Sequence, residues 1–126
     1  MISSIEELGS KILGLAIKVH RELGPGLLES TYEKCLCYEF EKNNIKFINQ
    51  VYLDIVYDNN LKIEKAYRID ILVEDLIILE LKSVESFTKT HEAQLLTYLK
   101  LSNKYLGYLL NFNTKYLKDG IKRIIL

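Results

Sequence analysis

The segment RIDILVEDLIILELK, residues 68–82, is an apolar run broken by Asp70, Glu80 and Lys82. Charges in such surroundings are costly unless they meet each other, a metal or a ligand. Glu80 and Lys82 stand two apart on an expected strand, so both emerge on the face of Ile78, roughly 6–7 Å apart along it. Leu79 and Leu81 point the other way. Asp70 belongs to the preceding expected strand. For it to oppose Glu80 in an antiparallel pair, Val73 must oppose Ile77, which leaves the odd loop Glu74-Asp75-Leu76. A two-residue loop would pair Val73 with Leu76 and turn Asp70 away from Glu80. Chemistry at this triplet therefore demands an odd loop or a bulge.

Two carboxylates and an ammonium on one patch of sheet suit two purposes. Carboxylates plus waters hold Mg²⁺, which polarises a phosphoryl oxygen and acidifies a bound water. A lysine beside it orients that water or offsets charge building on phosphorus. A buried ion pair of Lys82 with Glu80 or Asp70, with no chemistry at all, fits the same spacing equally well.

The elements that must position these residues follow from periodicity. Ile5, Leu8, Ile12, Leu15, Val19 and Leu23 predict a helix over the first 23 residues, capped by Ser3 or Ser4, with Glu6 and Glu7 in its first turn. Gly24-Pro25-Gly26 stops it, and a second helix is expected over 27–42, ending at Asn43-Asn44. From Ile45 the pattern changes to period two, with Asp58-Asn59-Asn60 as a turn. Strands are expected over 61–73 and 76–84, a third helix over 89–103, a strand over 105–112 and a terminal strand over 121–125. The order α-α-β-β-β-α-β-β predicts an α/β fold, a mixed sheet flanked by helices.

The 126 residues suit a single domain, 1–126, and 48% hydrophobic with 27% charged content reads as a soluble globular chain. No apolar stretch approaches the roughly 20 residues of a bilayer span, so no membrane association is expected. The start MISSIEELGSK lacks the basic opening and apolar run of a signal peptide. Cys35 and Cys37, the two cysteines, are a poor zinc site and read as reduced residues of a cytoplasmic protein. Seventeen basic and 17 acidic residues cancel, so any nucleic-acid contact must come from a local patch.

Several ordered motifs resemble one family. The Asp70, Glu80, Lys82 pattern, D-x9-E-x-K, looks like the core of the PD-(D/E)XK nuclease superfamily. GLLESTY, residues 26–32, follows VHRELGP, residues 19–25, as in the GxxExxY family named after that signature. THEAQLLTYLKL, residues 90–101, resembles the Q-x3-Y element of RecB-like nucleases through Gln94 and Tyr98, and LLNFN…LKDGIKRII resembles the family's closing segment. Where the superfamily often carries proline before the aspartate, this chain has Ile69, a departure the motif tolerates.

The resemblance implies a restriction-endonuclease-like core acting as a Mg²⁺-dependent nuclease, with Mn²⁺ as a substitute and DNA a more expected substrate than RNA. It implies Asp70, Glu80, the Leu81 carbonyl and Glu29 as metal ligands and Lys82 as the water-orienting lysine. Gln94 and Tyr98 would line the site. Each residue also has a plainer reading. Glu29 suits a first helical turn. Gln94 and Tyr98 fit a helix edge with a snorkelling tyrosine. His91 is a candidate phosphate contact or general acid, but a lone His at a helix start is more often a capping residue, and His20 beside the glycine turn invites the same caution. Tyr32 shares a face with Glu29 and would support it. Nine tyrosines offer stacking surfaces, although strands favour them anyway. Lys115, Lys118, Lys122 and Arg123 form a local basic cluster, either phosphate-binding or a solvated edge. A homodimer is expected. The rival readings are a non-cleaving nucleic-acid- or partner-binding module, and an internal ion-pair network that would leave Glu29 and Gln94 away from the triplet.

Overall fold

A computed structural model describes residues 4–126. Two helices come first: α1, Ile5–Leu23, and α2, Glu29–Lys42. Three strands follow, β1 (Phe47–Tyr57), β2 (Leu61–Val73) and β3 (Ile77–Lys82). After α3 (Lys89–Ser102) come β4 (Leu106–Asn111), a 3₁₀ turn (Leu117–Gly120) and β5 (Ile121–Ile125). The expected order holds, with the 3₁₀ turn added. Ser4 is the N-cap of α1, its Oγ accepting from Glu7 N–H at 3.0 Å; Ser3 lies outside the described residues. Gly24 ends α1 at φ 71, where a side chain would be strained, and its N–H reaches the His20 carbonyl at 2.7 Å.

The sheet runs in the order β1-β2-β3-β4-β5. Neighbours are antiparallel except β3 and β4, which are parallel because α3 carries the chain across. Helices α1 and α2 cover one face, where Ile12, Tyr32, Leu36 and Phe40 pack on Ile71, Leu79 and Leu110. On the other face α3 packs through Leu95, Tyr98 and Leu99 onto Ile69, Ile78 and Leu109. A strand buried on both faces explains the near-continuous apolar run of β3. Each fully buried leucine or isoleucine contributes roughly 1.5–3 kcal/mol, which is how so apolar a strand tolerates Glu80.

Val73 pairs with Ile77 and Ile71 with Leu79, joined by the odd loop Glu74-Asp75-Leu76, so the register demanded by the acids is met. Boundaries differ from expectation by one or two residues, and two of the differences have a visible cause. Helix α2 starts at Glu29, not residue 27, because Leu28 is extended (φ −69, ψ 146) after Gly26 at φ 94. Strand β3 stops at Lys82, not residue 84, because the Asn111 side chain takes over Val84: its Oδ1 accepts from Val84 N–H at 3.2 Å and its Nδ2 donates to Val84 C=O at 2.9 Å. Cys35 and Cys37 are both free, and burial pushes the Cys37 thiol up to about 12.

Candidate active site

The ladder between β2 and β3 ends at the pair Ile71–Leu79. Beyond it the two acids take the place of ladder bonds. Asp70 Oδ2 accepts from Leu81 N–H at 2.8 Å, and Glu80 Oε1 accepts from Asp70 N–H at 3.0 Å. The two strands are thus tied by reciprocal side-chain bonds, and an open cleft of about 460 Å³ forms over them. Glu29, Asp70, Glu80, Lys82, Gln94 and Tyr98 all line it. Side chains from α2, β2, β3 and α3 therefore border one open cleft.

Electrostatics mark the pair of acids. Burial, then the Asp70 charge, pushes Glu80 up to about 8; burial also raises Asp70, with Glu33 and Glu29 adding to it. Lys82 offsets this weakly, its Nζ standing 4.0 Å from Glu80 Oε2. A structural pair elsewhere in the chain looks different: Lys18 Nζ meets Glu39 Oε1 at 2.9 Å. Tyr98 is buried edge-on to Tyr67 at 5.5 Å between ring centres, and burial followed by the charges of Glu80 and Asp70 pushes its phenol up to about 12.

This donor set fits a hard divalent cation. Two carboxyl groups are held close in partial burial, Lys82 and Arg68 offset their charge without a tight ion pair, and a dication would relieve it further. Asp70 and Glu80, with the Leu81 carbonyl and waters, are the residues that would hold it. Among the described residues, no three His, Cys, Asp or Glu side chains are grouped to hold a metal. Glu29 stands at the exposed mouth with Oε2 accepting from Ser83 N–H at 2.9 Å, tying α2 to the chain just after Lys82.

Other expected residues go elsewhere. Tyr32 is fully buried, stacked on Phe112 at 4.4 Å, and has no face for a substrate. Its hydroxyl donates to the Gly24 carbonyl at 2.5 Å and accepts from Leu27 N–H at 3.1 Å, so it fixes the turn that delivers Glu29. His91 completes a capping box with Thr88, Nδ1 accepting from Thr88 N–H at 3.2 Å. His20 is buried, its Nε2 bridging the carbonyls of Phe112 and Thr114 at 3.1 and 2.9 Å. The basic cluster does not hold together, because successive strand residues face opposite ways. Lys122 meets Glu92 of α3 at 3.7 Å and Arg123 meets Glu6 of α1 at 2.6 Å, while Lys115 and Lys118 flank Tyr116.

Sequence reasoning missed several groups. Tyr52, Lys65, Tyr67 and Arg68 also line the cleft. Arg68 was findable, being two residues before Asp70 on the same strand. Lys65 was not: it sits in a β2 bulge at φ 52, where the register shifts and its N–H reaches Asp54 Oδ1 at 2.8 Å. Glu33, one turn beyond Glu29, presses on Asp70 electrostatically and is held by Gln50 Nε2 at 2.8 and 3.0 Å. Its four-residue spacing from Glu29 was the available signal.

Residues 6–124 match the PD-(D/E)XK nuclease superfamily, and the chain belongs to it. The five-stranded mixed sheet flanked by helices is the restriction-endonuclease-like fold of that class. Members generally use divalent metals such as Mg²⁺. No curated protein matches the chain. Among the described residues no helix is long and apolar enough to cross a membrane.

Proposed function

We propose that this chain, as a single domain over 1–126 in the cytoplasm, hydrolyses phosphodiester bonds of nucleic acid with a divalent metal, DNA ahead of RNA. The observation that carries the proposal is the open cleft in which two interlocked carboxyl groups, both pushed up by burial, stand beside a lysine too distant for a tight ion pair. Asp70, Glu80 and the Leu81 carbonyl would hold Mg²⁺, or Mn²⁺ in its place, with Glu29 as a further ligand from the mouth of the cleft. The metal supplies polarisation of a phosphoryl oxygen and acidification of a bound water. Lys82 Nζ orients the attacking water and offsets charge gathering on the phosphoryl oxygens. The water gives up a proton to solvent as its oxygen bonds to phosphorus, the bond to the leaving sugar oxygen breaks, and that oxygen takes up a proton from solvent. Gln94 and Tyr98 position Lys82 and the phosphate from α3, in the manner of a Q-x3-Y element, and residues 26–32 serve as a GxxExxY signature.

A homodimer belongs to the same proposal. It is supported by the edge strand β1, which exposes Ile48 and Val56 at 63% and 59% beside an unpaired ladder edge. Sedimentation of the purified chain tests this directly, and a monomer at all concentrations contradicts it.

The test of the activity is incubation of labelled single- and double-stranded DNA and RNA with Mg²⁺ or Mn²⁺, using wild type, Asp70→Ala and Glu80→Gln. Expected is metal-dependent cleavage of at least one DNA form by wild type, lost in both variants. Binding without cleavage by folded wild type on every substrate would favour the non-cleaving module instead.

A further inference from the structure

A second hollow, of about 420 Å³, lies where the end of α1 meets the chain before β5, and Ile17, His20, Arg21, Lys115, Tyr116 and Lys118 line it. No acid lines it. Among the described residues no carboxylate is paired with Arg21, Lys115 or Lys118, and what sets them apart from other unpaired cations is that they line one hollow with no acid in its lining. In a chain of zero formal charge, three uncompensated cations around one hollow form a local positive field. Tyr116 is 56% exposed and lies beneath the Lys115 and Lys118 ammoniums at 5.5 and 6.0 Å. Ile17 and Leu117 give the hollow an apolar floor.

The walls are fixed in advance. The buried His20 ring grips the carbonyls of Phe112 and Thr114, and Thr114 Oγ1 reaches the carbonyls of Asn111 and Tyr116 at 3.0 and 2.8 Å. Gly120 lies so close to the Asn111 carbonyl that a Cβ there would collide with it. Hydrogen bonds also connect this hollow to the cleft. They run from the Gly24 carbonyl through the Tyr32 hydroxyl to Leu27, and from the Leu27 carbonyl through Ser83 to Glu29. A shallow depression lined by Leu27, Glu29 and Ser83 lies along that path.

We propose that this hollow binds a nucleotide, its phosphate on Arg21, Lys115 and Lys118 and its base against Tyr116, as a second hold on the strand whose phosphate reacts at Asp70 and Glu80. An anion needs the cations and a base needs an aromatic face, and both are present in one preformed pocket. The strand part of this inference rests on the proposed nuclease activity.

The test uses the full chain without metal. 2′-Deoxyadenosine 5′-monophosphate is titrated against wild type and Lys115→Ala/Lys118→Ala while backbone amide resonances are followed. A short fluorescein-labelled DNA single strand is titrated against both by anisotropy at several salt concentrations. Expected are shifts at residues 20–21 and 115–118 that vanish in the variant, strand affinity reduced about tenfold, and a salt dependence shallower by about 1–2 in log–log slope. Monophosphate binding with unchanged strand affinity would overturn the strand contact and leave a free-nucleotide site. No shifts at these residues would overturn the pocket. Both readouts are independent of cleavage, so a chain that cuts nothing would still answer this question.

Discussion

Asp70 and Glu80 hold their positions against their own charge. A carboxyl at about 8 in the folded chain, against about 4.3 when solvated, keeps its proton more tightly folded than unfolded. The unfolded state then binds fewer protons between those values, so stability is fullest below the lower one and falls as pH rises through the interval, levelling above about 8. Metal-free wild type should therefore melt at progressively lower temperature from pH 5 to pH 8, and Glu80→Gln should give a much flatter profile with the higher melting temperature at pH 8. A wild-type profile flat over that range would contradict the burial argument. Added Mn²⁺ should raise the wild-type melting temperature more at pH 8 than at pH 6, because binding displaces the Glu80 proton. The three charges were legible in the sequence as residues needing partners. The upward shift of the two acids was not, since it depends on how far the two strands bury them.

At the scale of elements, the cleft exists because β2 and β3 stop pairing at Ile71–Leu79 and because the chain on either side is pinned. Asn111, buried within β4, holds Val84 through both of its backbone groups and accepts from Asn113 N–H at 3.1 Å. Asn111→Ala should cost about 1–3 kcal/mol in urea denaturation, the range for orphaned buried backbone groups. A cost near zero would mean that water replaces these bonds. Tyr32→Phe loses the link between the Gly24 carbonyl and Leu27 N–H, and should lower stability by about 1 kcal/mol while weakening Mn²⁺ binding measured by calorimetry. Unchanged Mn²⁺ affinity would detach the glycine turn from the site. The odd loop at Glu74-Asp75-Leu76 could be deduced because a side-chain period of two leaves one register that puts Asp70 and Glu80 together. The start of α2 at Glu29 and the bulge at Lys65 could not. One depends on a glycine turn with positive φ, the other on Asp54 of the neighbouring strand.

Over the whole molecule, zero net charge conceals an uneven distribution. The cleft mixes three acids with Lys65, Arg68 and Lys82, while Arg21, Lys115 and Lys118 line a hollow that no acid lines. Contiguity in sequence was misleading here, because Lys122 and Arg123 diverge to opposite faces of the sheet and pair with Glu92 and Glu6. The layered α/β architecture was legible throughout, since it follows from periodicity and from the breaks at Gly24 and Asn59. The central proposal is that the cleft joins metal binding to phosphodiester hydrolysis through Lys82. Its most direct test is the single-turnover cleavage rate of a labelled DNA strand at saturating Mn²⁺, wild type against Lys82→Ala. Expected is a loss of about 10²–10³-fold in Lys82→Ala with its Mn²⁺ affinity retained, as when one preorganised charge is removed from a reacting phosphate. Equal rates in the two proteins would contradict it.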